Sequence, residues 1–67
     1  MHPIKRERFR RGWSQTDLAA KVLVSRFAVL RWEHGKFPRP KYLTKLAQVF
    51  HIPVQRLADE ILSYNAD

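Results

Sequence analysis

The 67 residues contain no cysteine, which excludes a disulfide framework, a thiolate metal site and a thiol nucleophile. Glycine is scarce, at two residues, and neither sits in a loop built to cradle phosphate. No apolar run approaches the ~18 residues of a membrane helix, and no signal-like apolar core follows Met1, so a cytoplasmic protein without a membrane role is expected. Period-2 alternation is missing, which argues against strands. The histidines His2, His34 and His51 are dispersed, too far apart for a recognisable metal site. No Ser–His–acid spacing is present, so neither enzyme activity nor a catalytic residue is expected, and no cofactor or small-molecule effector.

Acidic residues are also few, and their shortage is uneven. Six Asp and Glu stand against thirteen Lys and Arg, a net charge of +7. Residues 1–20 hold five basic and two acidic groups, residues 21–45 seven basic groups and only Glu33, and residues 46–67 one basic and three acidic groups. Positive charge gathered in one segment of a small protein faces a polyanion. The apolar fraction of 45% lies in the globular range, and the length suits one small domain, residues 1–67.

Helical punctuation divides the chain into five short helices. Pro3 can open a first helix that runs to about Arg11 and stops at Gly12, with Ile4 and Phe9 as its inward residues. Ser14 is a good N-cap for a second helix, with Asp17 as an acidic partner three residues on. Leu18, Ala19 and Val22 form its inward stripe. Ser25 opens a third helix to about His34, with Val29 and Trp32 inward and Gly35 as the left-handed terminator. The prolines around Arg39 make Lys36–Lys41 an extended basic loop. A fourth helix is expected over Pro40–Phe50, with Leu43, Leu46, Ala47 and Phe50 inward. A fifth begins at Pro53, with Leu57, Ile61 and Leu62 inward.

With this pattern in place, the run "QTDLAAKVLVSRFAVLRWEHG" (Gln15–Gly35) resembles the helix-turn-helix of the lambdoid phage repressors and Cro proteins, the XRE-type regulators. Gln15 opens the first helix of the motif and Ala19 holds the small crossing position. Leu18, Val24, Val29 and Trp32 are its apolar places. "WEHGK" (Trp32–Lys36) and "RPKYL" (Arg39–Leu43) resemble segments that follow the motif in some members, and "LAQVFHIPVQRL" resembles the family's fourth and fifth helices. The resemblance implies an all-α, compact five-helix lambda-repressor-like domain, with the motif at about residues 15–34.

It also implies sequence-specific binding to double-stranded DNA, as a transcriptional regulator of the phage- or mobile-element repressor/Cro-like type. Such proteins usually act as homodimers on palindromic operators, with a recognition helix (here about 25–34) in the major groove. Carried onto this sequence, Arg26, Phe27 and Arg31 would read bases, with Gln15 at the start of the preceding helix meeting the backbone and a base edge. Ser14, His34, Lys36, Arg39, Lys41 and Tyr42 would follow the DNA backbone. Arg8 and Glu33 match positions that form a structural ion pair. Dimer contacts would come from the Phe37–Pro38 region and the last helix.

The residue types suit those roles on chemical grounds. Arginine is shaped for guanine O6 and N7, and an apolar ring can touch thymine methyl groups. A capped helix N-terminus with free N–H groups favours phosphate. Leu23 is the main departure from the family, standing where the turn usually carries Gly; His34 also replaces a usual Asn, and the base-reading positions lack the paired glutamines of some members. A Leu in left-handed backbone costs about 1–2 kcal/mol, so either the turn differs, the domain tolerates strain, or burial of Leu23 offsets it. Other readings are an antitoxin-like or anti-repressor protein-binding module on the same fold, favoured if Phe27 and Phe37 are exposed, and a cationic membrane-surface peptide, which the internal caps oppose.

Overall fold

A computed structural model describes residues 1–67. The helices are α1 (Pro3–Arg10), α2 (Gln15–Val22), α3 (Arg26–Glu33), α4 (Pro40–Phe50) and α5 (Val54–Ala66), with no strand. Local chemistry explains where they begin. Pro3 and Pro40 occupy the first turns of α1 and α4, where a missing N–H costs nothing. Ser14 accepts from the Asp17 N–H at 3.0 Å, and the Asp17 carboxylate accepts from the Ser14 N–H at 2.9 Å, closing a reciprocal capping box. Ser25 caps α3 through the Ala28 N–H at 3.4 Å.

The inward faces meet in one core. Ile4 of α1, Leu18, Ala19 and Val22 of α2, and Val29 and Trp32 of α3 are buried with Leu43, Leu46, Ala47 and Phe50 of α4 and Leu57 and Ile61 of α5. Each large side chain removed from water there contributes about 1.5–3 kcal/mol. Two expected core residues lie outside it: Phe9 is 53% exposed and Leu62 56% exposed. Helical geometry gives the reason. The inward stripe of α1 is Ile4, Glu7 and Arg8, so Phe9 turns a further ~100° toward solvent. There it lies beneath Lys5 and Arg8, with cation–ring distances of 5.5 and 5.0 Å. Leu62 is likewise one step past Ile61.

Polar groups complete the inner face of α1. Glu7, 2% exposed, accepts from Arg6 at 3.0 Å, Arg10 at 3.2 Å and Arg11 at 3.0 Å. Arg6 also reaches Glu60 of α5 at 2.8 Å. Arg11 donates to the Phe50 carbonyl at 2.6 Å, which satisfies an orphan acceptor at the end of α4. Its guanidinium lies beside the stacked Phe50 and Trp13 rings, 5.1 and 5.6 Å from their centroids. One arginine thus fastens the ends of two helices.

His2 caps α1 by accepting from the Ile4 N–H at 3.1 Å through Nδ1. Its ring is buried and meets Tyr64 of α5 edge-on, centroids 5.0 Å apart. With Nδ1 accepting, the proton sits on Nε2, which is buried without a partner. Burial pushes the His2 pKa below its usual 6.5, with the Met1 amine and Arg6 adding to the drop against the pull of Glu33. The Glu7 carboxyl is pushed up by burial, but the arginines around it outweigh this and hold it below the usual 4.5. Both shifts have the same sign for folding: the unfolded chain binds more protons, so stability rises with pH. The contribution of His2 is complete above its ordinary 6.5 and fades as pH falls below that. The contribution of Glu7 is complete above 4.5 and fades on further acidification. Thermal unfolding followed from pH 8 downward should therefore show two successive losses. His2→Asn, which keeps a capping acceptor without titrating, should abolish the upper one. An unchanged upper limb in that variant would assign it to another group.

Two helices end in left-handed residues that are not glycine. Gly12 (φ 71°) and Gly35 (φ 111°) follow the usual rule, but Leu23 (φ 61°) closes α2 and His51 (φ 57°) closes α4. The turn after α2 therefore keeps the geometry that favours glycine, and Leu23, at 79% exposed, gains nothing from burial. Leu23→Gly should raise stability by about 1 kcal/mol, the relief of left-handed strain less the extra entropy of an unfolded glycine. Denaturant unfolding checks this, and a less stable variant would show that Leu23 contributes packing.

Candidate nucleic-acid interface

The α2–turn–α3 unit is held by backbone as well as core. The Val24 N–H donates to the Ala19 carbonyl at 2.9 Å, and the small, buried Ala19 lets the turn fold back closely. Val29 and Trp32 point inward. That leaves Arg26, Phe27 and Arg31 exposed, with Leu30 and Ala28 half-buried between them. Arg26 stacks on Phe27, 5.6 Å from guanidinium carbon to ring centroid.

Behind this face lies a hydrogen-bonded line that starts in the interior. Arg8 donates to both oxygens of Glu33, Nε to Oε2 at 2.8 Å and Nη2 to Oε1 at 3.0 Å, and to the Trp13 carbonyl at 3.1 Å. Gln15 donates to Glu33 Oε1 at 3.2 Å and accepts from Arg26 at 3.4 Å. The side chains of Arg8 and Glu33 are only 7% and 5% exposed. Burial pushes the Glu33 carboxyl up, but bonds from Arg8 and Gln15 outweigh it and hold it below its usual range. Gln15 is thus half-buried, with its donor committed to Glu33 and its carbonyl facing Arg26.

Lys36 and Arg39 are exposed along the α3–α4 connection and Lys41 in the first turn of α4. Tyr42 is half-buried, its ring 6.1 Å from Trp32 and within 6 Å of the Lys41 and Lys45 ammonium groups (5.6 and 5.9 Å). Arg39 precedes α4 without making a side-chain cap, so the first free N–H groups of that helix add to the positive end. His34 is exposed with Nδ1 against the Leu30 carbonyl at 2.8 Å. Ser14 is exposed, and its Oγ accepts in the capping box, which leaves its O–H free to donate. A cleft of about 360 Å³ runs between the turn, α3 and the α3–α4 connection, bordered by Leu23, Ala28, Arg31, Lys36, Arg39 and Tyr42.

The pairing of charges separates the two sides of the molecule. Every salt bridge falls on Glu7, Glu33 or Glu60, with Arg6, Arg8, Arg10, Arg11 and Arg56 as partners. None involves Lys21, Arg26, Arg31, Lys36, Arg39, Lys41 or Lys45. The three carboxylates engage the arginines of α1 and α5, and the cations of residues 21–45 have no carboxylate partner. Several of these internal partners are not evident in the sequence. Arg10 and Arg11, three and four residues past Glu7, are the one sign of its network. The long-range contact of Arg11 with Phe50 has no local signal.

A buried ion pair behind a capped two-helix unit, with a cationic second helix, defines an all-α domain organised around a helix-turn-helix. The helix-turn-helix family model matches residues 4–57. The chain belongs to that family, the XRE-type, lambda-repressor-like helix-turn-helix proteins, and is a DNA-binding regulator. No curated protein and no solved structure matches it. None of its helices is long and apolar enough to cross a membrane.

Proposed function

We propose that the chain is a sequence-specific regulator of the phage- or mobile-element repressor/Cro-like type, acting in the cytoplasm as a homodimer on a palindromic operator. The observation that carries this reading is the unpaired cationic surface of residues 21–45, centred on the exposed Arg26, Phe27 and Arg31 of α3. In this reading α3 enters the major groove. Arg26 and Arg31 address guanine edges, Phe27 meets thymine methyl groups, and Gln15 orients Arg26 or touches a base edge. Ser14, His34, Lys36, Arg39, Lys41 and Tyr42 follow the phosphates, aided by the helix N-termini of α2 and α4.

Dimer contacts fall to Phe37 and to the exposed Val54 and Leu62 of α5. Pro38 is fully buried within its own chain and is not available. The exposure of Phe27 (59%) favours a second reading, a protein-binding module of antitoxin or anti-repressor type.

Selection from a random duplex pool at about 150 mM salt separates the two. The regulator reading expects a palindrome whose half-site centres lie about 10 bp apart. Binding that is unselective and only fades with salt, together with a stoichiometric protein complex, would overturn it in favour of the second.

A further inference from the structure

We propose that Leu23 is a specificity-determining residue of this interface, held in the left-handed turn to read thymine methyl groups. The inference rests on the duplex-binding reading above and extends it to a residue outside α3.

Two independent observations converge on Leu23. The first is its conformation. With φ 61° and ψ 49° it occupies backbone that a Leu adopts only at a cost. His51, the other non-glycine in this region, belongs to a residue type often found there, whereas Leu does not. Burial does not offset the strain, because 79% of Leu23 faces solvent, more than any other large apolar side chain. Neither local preference nor packing therefore accounts for a leucine at this position. Strain kept without a folding benefit is characteristic of contact surfaces.

The second observation is the company Leu23 keeps. It borders the same cleft as Arg31, Lys36 and Arg39, none of which is paired with a carboxylate. An occupant of this cleft must be anionic and must present an apolar edge to the turn. A DNA strand combines both: its phosphates meet the cations, and the thymine C5-methyl is the apolar group exposed in the major groove. Glycine at position 23 would relieve the backbone but remove the only large apolar group of the turn that reaches solvent.

The test uses the duplex that the wild-type chain enriches from a random pool, with Leu23→Gly and Leu23→Ala selected in parallel. Alanine keeps the strained backbone without the reach, and glycine removes both the reach and the strain while keeping the left-handed turn, so loss of the side chain separates from relief of the strain. Melting of each variant confirms that it is folded. Both variants should retain the positions read from α3 and lose a thymine preference at one position in each half-site. Replacing that thymine by uracil should weaken wild type about fourfold per methyl and leave Leu23→Gly unaffected. If both variants keep the thymine preference, or lose affinity equally for the thymine and uracil duplexes, Leu23 does not read a base, while the duplex reading itself stands. If wild type enriches no duplex, both readings fall together.

Discussion

Glu33→Gln should destabilise the protein by about 3–5 kcal/mol, because it leaves the Arg8 guanidinium buried without its counter-charge. The geometry puts this pair among the costly ones to break. Both side chains are at least nine-tenths buried, and two parallel N–H groups of Arg8 meet the two carboxylate oxygens at 2.8 and 3.0 Å. Glutamine has the right shape but offers one acceptor and no charge. A small domain has about 5–15 kcal/mol of stability in all, so the variant should melt about 15–30 °C lower. The effect should also be non-additive: adding Arg8→Met to Glu33→Gln should recover part of the loss, since the stranded cation is then gone. The Trp13 carbonyl, which accepts from Arg8, would stay unpaired, so recovery would be incomplete. Thermal and urea unfolding of the two single variants and the double variant measure the coupling. A Glu33→Gln protein as stable as wild type would show that water or Gln15 compensates the pair.

Arg31→Ala should leave stability within about 0.5 kcal/mol of wild type, as expected for an exposed residue, yet weaken DNA binding by about 1–3 kcal/mol per half-site. Arg31 is exposed and takes part in no ion pair, so its charge serves no interior contact. On a symmetric site the loss counts twice, and one base position in each half should become degenerate. The comparison that gives the result meaning is Lys36→Ala. A phosphate contact should weaken all sequences alike and lower the salt slope by about 1. If Arg31→Ala behaves like Lys36→Ala, with uniform weakening and unchanged preference, then Arg31 follows the backbone and base reading moves to Arg26 and Phe27.

Much of this architecture is evident from local chemistry. Ser14, Ser25, Pro3 and Pro40 mark where helices begin because caps and prolines act on their own neighbours. Leu18, Ala19 and Val22 recur at helical spacing and are buried together. Local periodicity failed at Phe9 and Leu62. An apolar residue next to the inward stripe looks inward until the neighbouring helix is in place, and on α1 that place went to Glu7 and Arg8. Hydrophobicity alone could not predict that a glutamate and an arginine would be more buried than a phenylalanine one turn-step away. The burial of Arg8 depends on Glu33 at the end of α3, and that of Glu7 on Arg11, which is itself held by the Phe50 carbonyl of α4.

The sequence by itself determined the helical class, the points where the helices begin and the excess of positive charge in residues 21–45, because capping, periodicity and net charge need no partner distant in the chain. It also determined that the turn at Leu23 would be strained if it kept left-handed geometry. Only the tertiary structure decided that it does keep it, with the side chain in solvent. Only the tertiary structure decided that Arg6 also reaches Glu60 and that three arginines converge on a buried Glu7. The positions of Glu7, Glu33 and Glu60 direct their charge to Arg6, Arg8, Arg10, Arg11 and Arg56. Ion pairing falls off within a few ångströms: Arg10, Arg11 and Arg56 find their carboxylates within a turn of the chain, but the Arg6–Glu60 and Arg8–Glu33 pairs form only where two helices lie side by side. That packing leaves the exposed cations of α3 and of the α3–α4 connection without carboxylate partners, with Arg31, Lys36 and Arg39 around one cleft.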